Sequence, residues 1–116
     1  MVRPSRTVPS PMQMKVLLLI SDKRSGRELV ELYRREWGES IPDGTLYTTL
    51  RRLKEAGWVS VEEARNADGR VRFFQLSARG AKARDRGREH LRRIVDFKPS
   101  KEASGRTGSP RRRRRG

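Results

Sequence analysis

A mainly α fold with a small β-hairpin is predicted for this chain by three observations. Its first half holds a short continuous apolar run and then two segments with apolar residues at helical spacing. Two runs rich in β-branched and aromatic residues then flank the turn tetrapeptide Asn66-Ala67-Asp68-Gly69. A long segment after Ser77 returns to helical composition. At 116 residues the chain has the length of one domain.

Residues 1–11 hold three prolines and little apolar material, which predicts a flexible basic arm whose Arg3 and Arg6 reach towards an anion. From Met12 to Ile20, the residues Met14, Val16, Leu17, Leu18, Leu19 and Ile20 are too continuously apolar to stay exposed, so a buried first helix is expected. Ser25 and Glu28 have the spacing of a capping box, in which side chain and backbone satisfy each other's free donors. Leu29, Val30, Leu32, Tyr33 and Trp37 follow at helical spacing, and Gly38 supplies a stop. Trp37 and Trp58, each beside a glycine at a helix end, are read as packing residues.

Pro42 and Asp43 open a third helix, since proline is tolerated in a first turn and an acid is favoured at the positive dipole end. Leu46, Leu50 and Leu53 form its apolar stripe. The opposite face carries Gly44, Thr48, Arg51, Arg52 and Glu55, flanked by Thr45 and Tyr47, and Gly57 ends the helix. Strands are predicted over Trp58–Arg65 and Arg70–Leu76. Phe73 and Phe74 are adjacent and so face opposite sides of the ribbon. Ser77 caps a last helix to about Val95, whose apolar content is thin and which Gly80 and Gly87 weaken, so it needs a partner surface. Residues 12–96 thus form the domain, the last helix spanning 77–95. Residues 97–116 lose periodicity and are read as a disordered Arg-rich tail.

Three helices, a two-stranded ribbon and a further helix is the order of a winged helix-turn-helix, whose third helix enters the major groove of DNA. Charge points to the same partner. Lys and Arg outnumber Asp and Glu by 29 to 14, for a net charge of +15. From Lys98 onward eight basic residues meet a single acid, and the rest of the chain still carries +8.

Within that order, Thr48, Arg51 and Arg52 project donors suited to base edges, while Gly44 and Thr45 let a phosphate approach free backbone N–H groups. Arg65, Arg70 and Arg72 at the shoulders of the hairpin turn, and the terminal run Arg111, Arg112, Arg113, Arg114 and Arg115, would meet phosphate. Double-stranded DNA is the expected partner.

Other chemistries find little support. The chain has no cysteine, so disulfides, thiolate metal sites and cysteine nucleophiles are excluded, and a cytoplasmic, nucleoid-associated location is the natural expectation. Its longest apolar run, Val16–Ile20, is far short of the roughly 20 residues a membrane span needs. His90 stands alone, and Glu62 and Glu63 are strand neighbours that point to opposite faces, poor geometry for paired acid–base work. No catalytic residue, metal or cofactor is expected.

Gly26-Arg27-Glu28-Leu29, Gly44-Thr45-Leu46-Tyr47 and the run Leu50-Arg51-Arg52-Leu53-Lys54-Glu55-Ala56-Gly57-Trp58-Val59 together resemble the PadR-type transcriptional regulators. Arg72-Phe73-Phe74-Gln75-Leu76 and Ser77-Ala78-Arg79-Gly80 continue the resemblance through the second wing strand into the last helix. The resemblance implies a regulator, usually a repressor, that dimerises through its last helix, here Leu91, Ile94 and Val95, and binds a pseudo-palindromic operator. It also implies that Tyr47 contacts the DNA backbone, and it leaves any small-molecule effector unidentified. The chain departs from the pattern in its Phe73-Phe74 pair, where the family has tyrosines, in a last helix poor in large apolar residues, and in its Arg-rich tail. The basic composition alone also fits a non-specific DNA- or RNA-binding protein, and the fold alone a protein-interaction module.

Overall fold

The computed structural model describes residues 8–67 and 69–100. Its elements run α1 (Pro11–Leu19), β1 (Arg24–Ser25), α2 (Gly26–Trp37), α3 (Asp43–Glu55), β2 (Val59–Asn66), β3 (Gly69–Leu76) and α4 (Ala78–Val95). This is the predicted winged-helix order, and local chemistry explains most of its boundaries. Ser25 and Glu28 form the expected capping box, the Ser25 hydroxyl accepting from Glu28 N–H and the Glu28 carboxylate from Ser25 N–H. Gly38 closes α2 in the left-handed conformation, at φ 71°.

The strands take in the outer residues of the expected turn, Asn66 pairing with Gly69, and two further features differ from the sequence reading. Helix α1 begins at Pro11, inside the segment expected to be an irregular arm, because Ser10 and Gln13 make a second capping box and proline at the first helical position has no N–H to waste. The ribbon also gains a third strand. β1 pairs antiparallel with β3, Arg24 opposite Phe74 and Ser25 opposite Phe73, so the sheet order is β1-β3-β2. The stretch that feeds α2 therefore satisfies its backbone groups on the free edge of the wing.

The core joins Val16, Leu17 and Ile20 of the α1 region to Leu29 and Tyr33 of α2, Leu46, Leu50 and Leu53 of α3, Trp58 just before β2, and Phe74 of the ribbon. Helix α4 joins it through small residues, Gly80, Ala83 and Gly87 all being buried. A Cβ on Gly80 would strike the Trp58 carbonyl, its carbon 2.8 Å away, and one on Gly87 would strike the Met14 side chain. The two glycines that lower helix propensity are thus points of close approach of α4, to the backbone of Trp58 just before β2 and to α1. Ser77 fixes the same corner: its hydroxyl accepts from Gly80 N–H at 2.9 Å and donates to Gly57 O at 2.6 Å.

Trp58 is buried, with no hydrogen-bond partner for its indole N–H among the described residues. Trp37 instead lies at the surface and donates its indole N–H to Lys15 O at 3.1 Å. Beside it, Lys15 Nζ meets Glu39 Oε1 at 2.6 Å and the Tyr33 hydroxyl donates to the same oxygen at 3.2 Å. This latch ties α1 to the connection between α2 and α3. Its hydrogen bond to Lys15 holds the Glu39 carboxyl below the usual range and raises the Lys15 ammonium, while burial pushes the Tyr33 phenol up.

Candidate nucleic-acid interface

Helix α3 buries Leu46, Thr49, Leu50 and Leu53 and turns its polar side outward. The Thr49 hydroxyl donates to Thr45 O at 2.8 Å, so this β-branched residue is satisfied within the helix. A groove of about 670 Å³ runs between α3 and the ribbon, lined by Gly44, Tyr47, Thr48, Arg51 and Lys54 on one side and by Val61, Glu63, Arg72 and Phe74 on the other. A second, of about 920 Å³, lies between the start of α2 and the ribbon and includes Ser25, Gly26, Arg27, Arg70 and Arg72. Tyr47, Glu63 and Arg72 border both.

Strand register explains why the ribbon presents its arginines together. Val61 pairs with Phe74, Glu63 with Arg72, and Arg65 with Arg70, and directly opposed residues of an antiparallel pair share a face. Phe74 is buried, its ring centroid 6.5 Å from that of Tyr47, so this is the face turned towards α3. Phe73 faces the other way, with Lys23 Nζ 5.8 Å from its ring centroid, as its adjacency to Phe74 predicted. Tyr47 itself is 40% exposed, and its phenol lies over Gly26 at the first turn of α2.

The structure therefore brings Gly44, Tyr47, Thr48 and Arg51 into one groove with Arg72, and places Arg70 in the neighbouring one. Thr45 and Arg52 are exposed but line neither groove. They sit about 100° round the helix from Gly44 and Arg51 respectively. Arg65 is exposed beside the hairpin turn. Arg111 to Arg115, Arg3 and Arg6 lie outside the described residues. The structure adds Arg27, Lys54 and Glu63 to the expected set. Lys54 had a signal in the sequence, three residues beyond Arg51 on the same face, and Glu63 had one in the alternation that sets it on the arginine face. Arg27 had only its place beside the capping box.

Arg27, Arg51, Arg52, Lys54, Arg65 and Arg72 have no acidic partner among the described residues, whereas Lys15, Lys23, Arg24, Arg34, Arg35, Arg84, Arg92 and Arg93 each have one. Within the grooves, Arg70 is the paired cation, 3.8 Å from Glu63. On α4, Arg79, Lys82 and Arg88 also lack an acidic partner among the described residues. Cations left unneutralised beside a groove are what a polyanion requires, because folding has not already used their charge. Among the described residues no group of acids and histidine is arranged to hold a metal ion, and no helix is long and apolar enough to cross a membrane.

Comparison with known proteins places this arrangement. No curated protein matches the sequence significantly. Solved structures share the fold. A PadR family regulator from Eggerthella lenta DSM 2243 superposes with a TM-score of 0.68 at 21% identity, over 73% of this chain and 75% of that one. One from Clostridium difficile R20291 gives 0.66 at 18% identity, over 85% and 100%. Bacillus subtilis PadR, solved in complex with operator DNA, gives 0.60 at 17% identity, over 79% of this chain and 51% of that one. The model of the transcriptional regulator PadR-like family matches residues 16–86, from the first helix through the wing into the last helix, and the chain belongs to that family.

Proposed function

We propose that the chain acts as a homodimeric, sequence-specific DNA-binding regulator, a repressor, that lays α3 in the major groove and its ribbon along the neighbouring backbone. The carrying observation is the shared groove: Tyr47, Thr48, Arg51 and Lys54 of α3 face Arg72 of the ribbon, with all three cations unpaired among the described residues. In this reading Thr48, Arg51 and Arg52 reach base edges. Tyr47, the N–H groups of Gly44 and Thr45, and Arg27, Arg65, Arg70 and Arg72 hold phosphates and set the register without reading sequence. Arg111, Arg112, Arg113, Arg114 and Arg115 add affinity of the same unspecific kind. The operator complex of Bacillus subtilis PadR supports this use of the fold.

The dimer contact is assigned to the end of α4. Leu91, Ile94 and Val95 are 37%, 58% and 79% exposed; Leu91 and Ile94 continue the face on which Gly80, Ala83 and Gly87 pack against the core, and Val95 borders it. An apolar stripe that outruns its own domain's core is completed by the same stripe of a second copy. A cytoplasmic, nucleoid-associated location follows from the partner.

Salt titration tests the phosphate assignments. The logarithm of the affinity for duplex DNA should fall linearly with the logarithm of salt concentration, and Arg72→Ala or Arg27→Ala should each reduce that slope by about 1. A slope unchanged in both variants would remove the ribbon and the start of α2 from the interface.

A further inference from the structure

Among the described residues, one carboxylate lines the two grooves: Glu63. Its place in the sheet is specific. Glu63 lies directly opposite Arg72, two residues before Arg65 on its own strand, and 3.8 Å from Arg70 on the diagonal. Three arginines of the ribbon thus surround a single acid on the face turned to α3. Arg65 and Arg70 are themselves directly opposed, a like-charge pair that a neighbouring anion relieves. Glu62, one residue earlier, projects to the other face and is held there by Lys23 at 2.8 Å.

We infer that Glu63 is a built-in competitor of DNA phosphate, pairing with Arg70 of the wing in the free protein and so restraining its grip on any duplex. The inference rests on the DNA-binding reading above and assigns a regulatory part within the same site. A phosphate entering between α3 and the ribbon must take Arg70 from a carboxylate already beside it, and at Arg72, directly opposite Glu63, it meets that carboxylate's repulsion. Both partners are more than half exposed, Arg70 at 68% and Glu63 at 51%, so the pair exchanges readily with an incoming anion. Because phosphate contacts carry no sequence information, the restraint weakens binding to all DNA by a similar factor. The protein then holds random sequence loosely, and retention depends on the base contacts of α3.

The test is fluorescence anisotropy of the full chain with a labelled random-sequence duplex. Glu63→Gln should tighten binding by about twofold to fivefold at low salt, the range an exposed ion pair supports. The gain should shrink as salt rises and screens the charges, and it should be smaller in an Arg70→Ala/Arg72→Ala background, where only direct repulsion is left to relieve. Glu62→Gln removes the same charge from the opposite face and should give a smaller gain. Glu63→Thr, a residue suited to a strand, serves as a second variant and should behave as Glu63→Gln does. Unchanged or weaker binding in both folded Glu63 variants, or an equal gain from Glu62→Gln, would overturn the inference while leaving the DNA-binding reading in place. Failure of the wild type to bind any duplex at low salt would overturn both.

Discussion

The phenol of Tyr47 occupies the space that a side chain at position 26 would need. A Cβ built on Gly26 would overlap the Tyr47 hydroxyl and lie 2.8 Å from Cζ and 3.0 Å from Cε1. The first turn of α2, the middle of α3 and, through Phe74, the ribbon therefore meet around one ring.

Gly26→Ala should accordingly leave the fold intact but expel the Tyr47 ring from its seat. Position 26 is helical and not in the left-handed region, so backbone strain is not the issue. Weakening of DNA binding by about 1–2 kcal/mol is expected, similar to Tyr47→Ala, from the loss of the phosphate contact proposed for Tyr47. In a Tyr47→Ala background the Gly26 substitution should have no further effect on binding, a coupling that a double-mutant cycle measures directly.

Arg51 and Arg52 are adjacent but differently placed, Arg51 in the groove facing the ribbon and Arg52 exposed further round α3. Each alanine substitution should cost about 1–3 kcal/mol at the preferred site and much less on random duplex. Equal losses on the two DNAs would reduce that arginine to a phosphate contact.

The glycines of α4 make opposite demands on propensity and packing. Alanine in place of either gains about 1 kcal/mol of helix propensity. At Gly80 the new methyl meets the fixed backbone carbonyl of Trp58, and at Gly87 it meets the unbranched side chain of Met14, sulfur first. Gly80→Ala should therefore destabilise by about 1–3 kcal/mol, whereas Gly87→Ala should be close to neutral. Thermal melts of the two variants decide whether close approach governs this helix.

The latch between Lys15 and Glu39 carries a pH signature. Glu39 is depressed below the ordinary 4.5, so its contribution is present above that value and is lost as pH falls through the lowered one. Lys15 is raised above 10.5, so its contribution is present below that value and is lost as pH rises through the raised one. Glu39→Gln should lower the melting temperature relative to wild type at pH 7, and the difference should close in acid. A difference that persists at pH 2 would show that the latch stabilises by packing and not by charge.

Leu91→Glu with Ile94→Glu should turn a dimer into a monomer in sedimentation without lowering the melting temperature of the domain, because both positions are exposed on the single chain. A domain that unfolds in this variant would mean that the stripe packs within its own chain.

What the sequence disclosed follows from how local each signal was. The capping box at Ser25, the stop at Gly38, the leucine stripe of α3 and the cap at Ser77 each lie within one turn of the chain they control, and each is present. Strand β1 was not legible because it is two residues long and exists only through Phe73 and Phe74, far along the chain. The start of α1 was misplaced because three prolines outweighed the Ser10 and Gln13 spacing. In the site, helical facing found Tyr47, Thr48 and Arg51, but only tertiary structure could set Arg27 beside the wing, or show Glu63 to be the carboxylate among its arginines.

Selection of bound fragments from a random duplex pool, with the full chain at physiological salt, tests the central claim most directly. A sequence-specific dimer should enrich one motif of two inverted half-sites about 10 base pairs apart, or a multiple of that spacing, with enrichment abolished by Arg51→Ala/Arg52→Ala. Fragments recovered without any common motif, at similar yield for wild type and double variant, would contradict it.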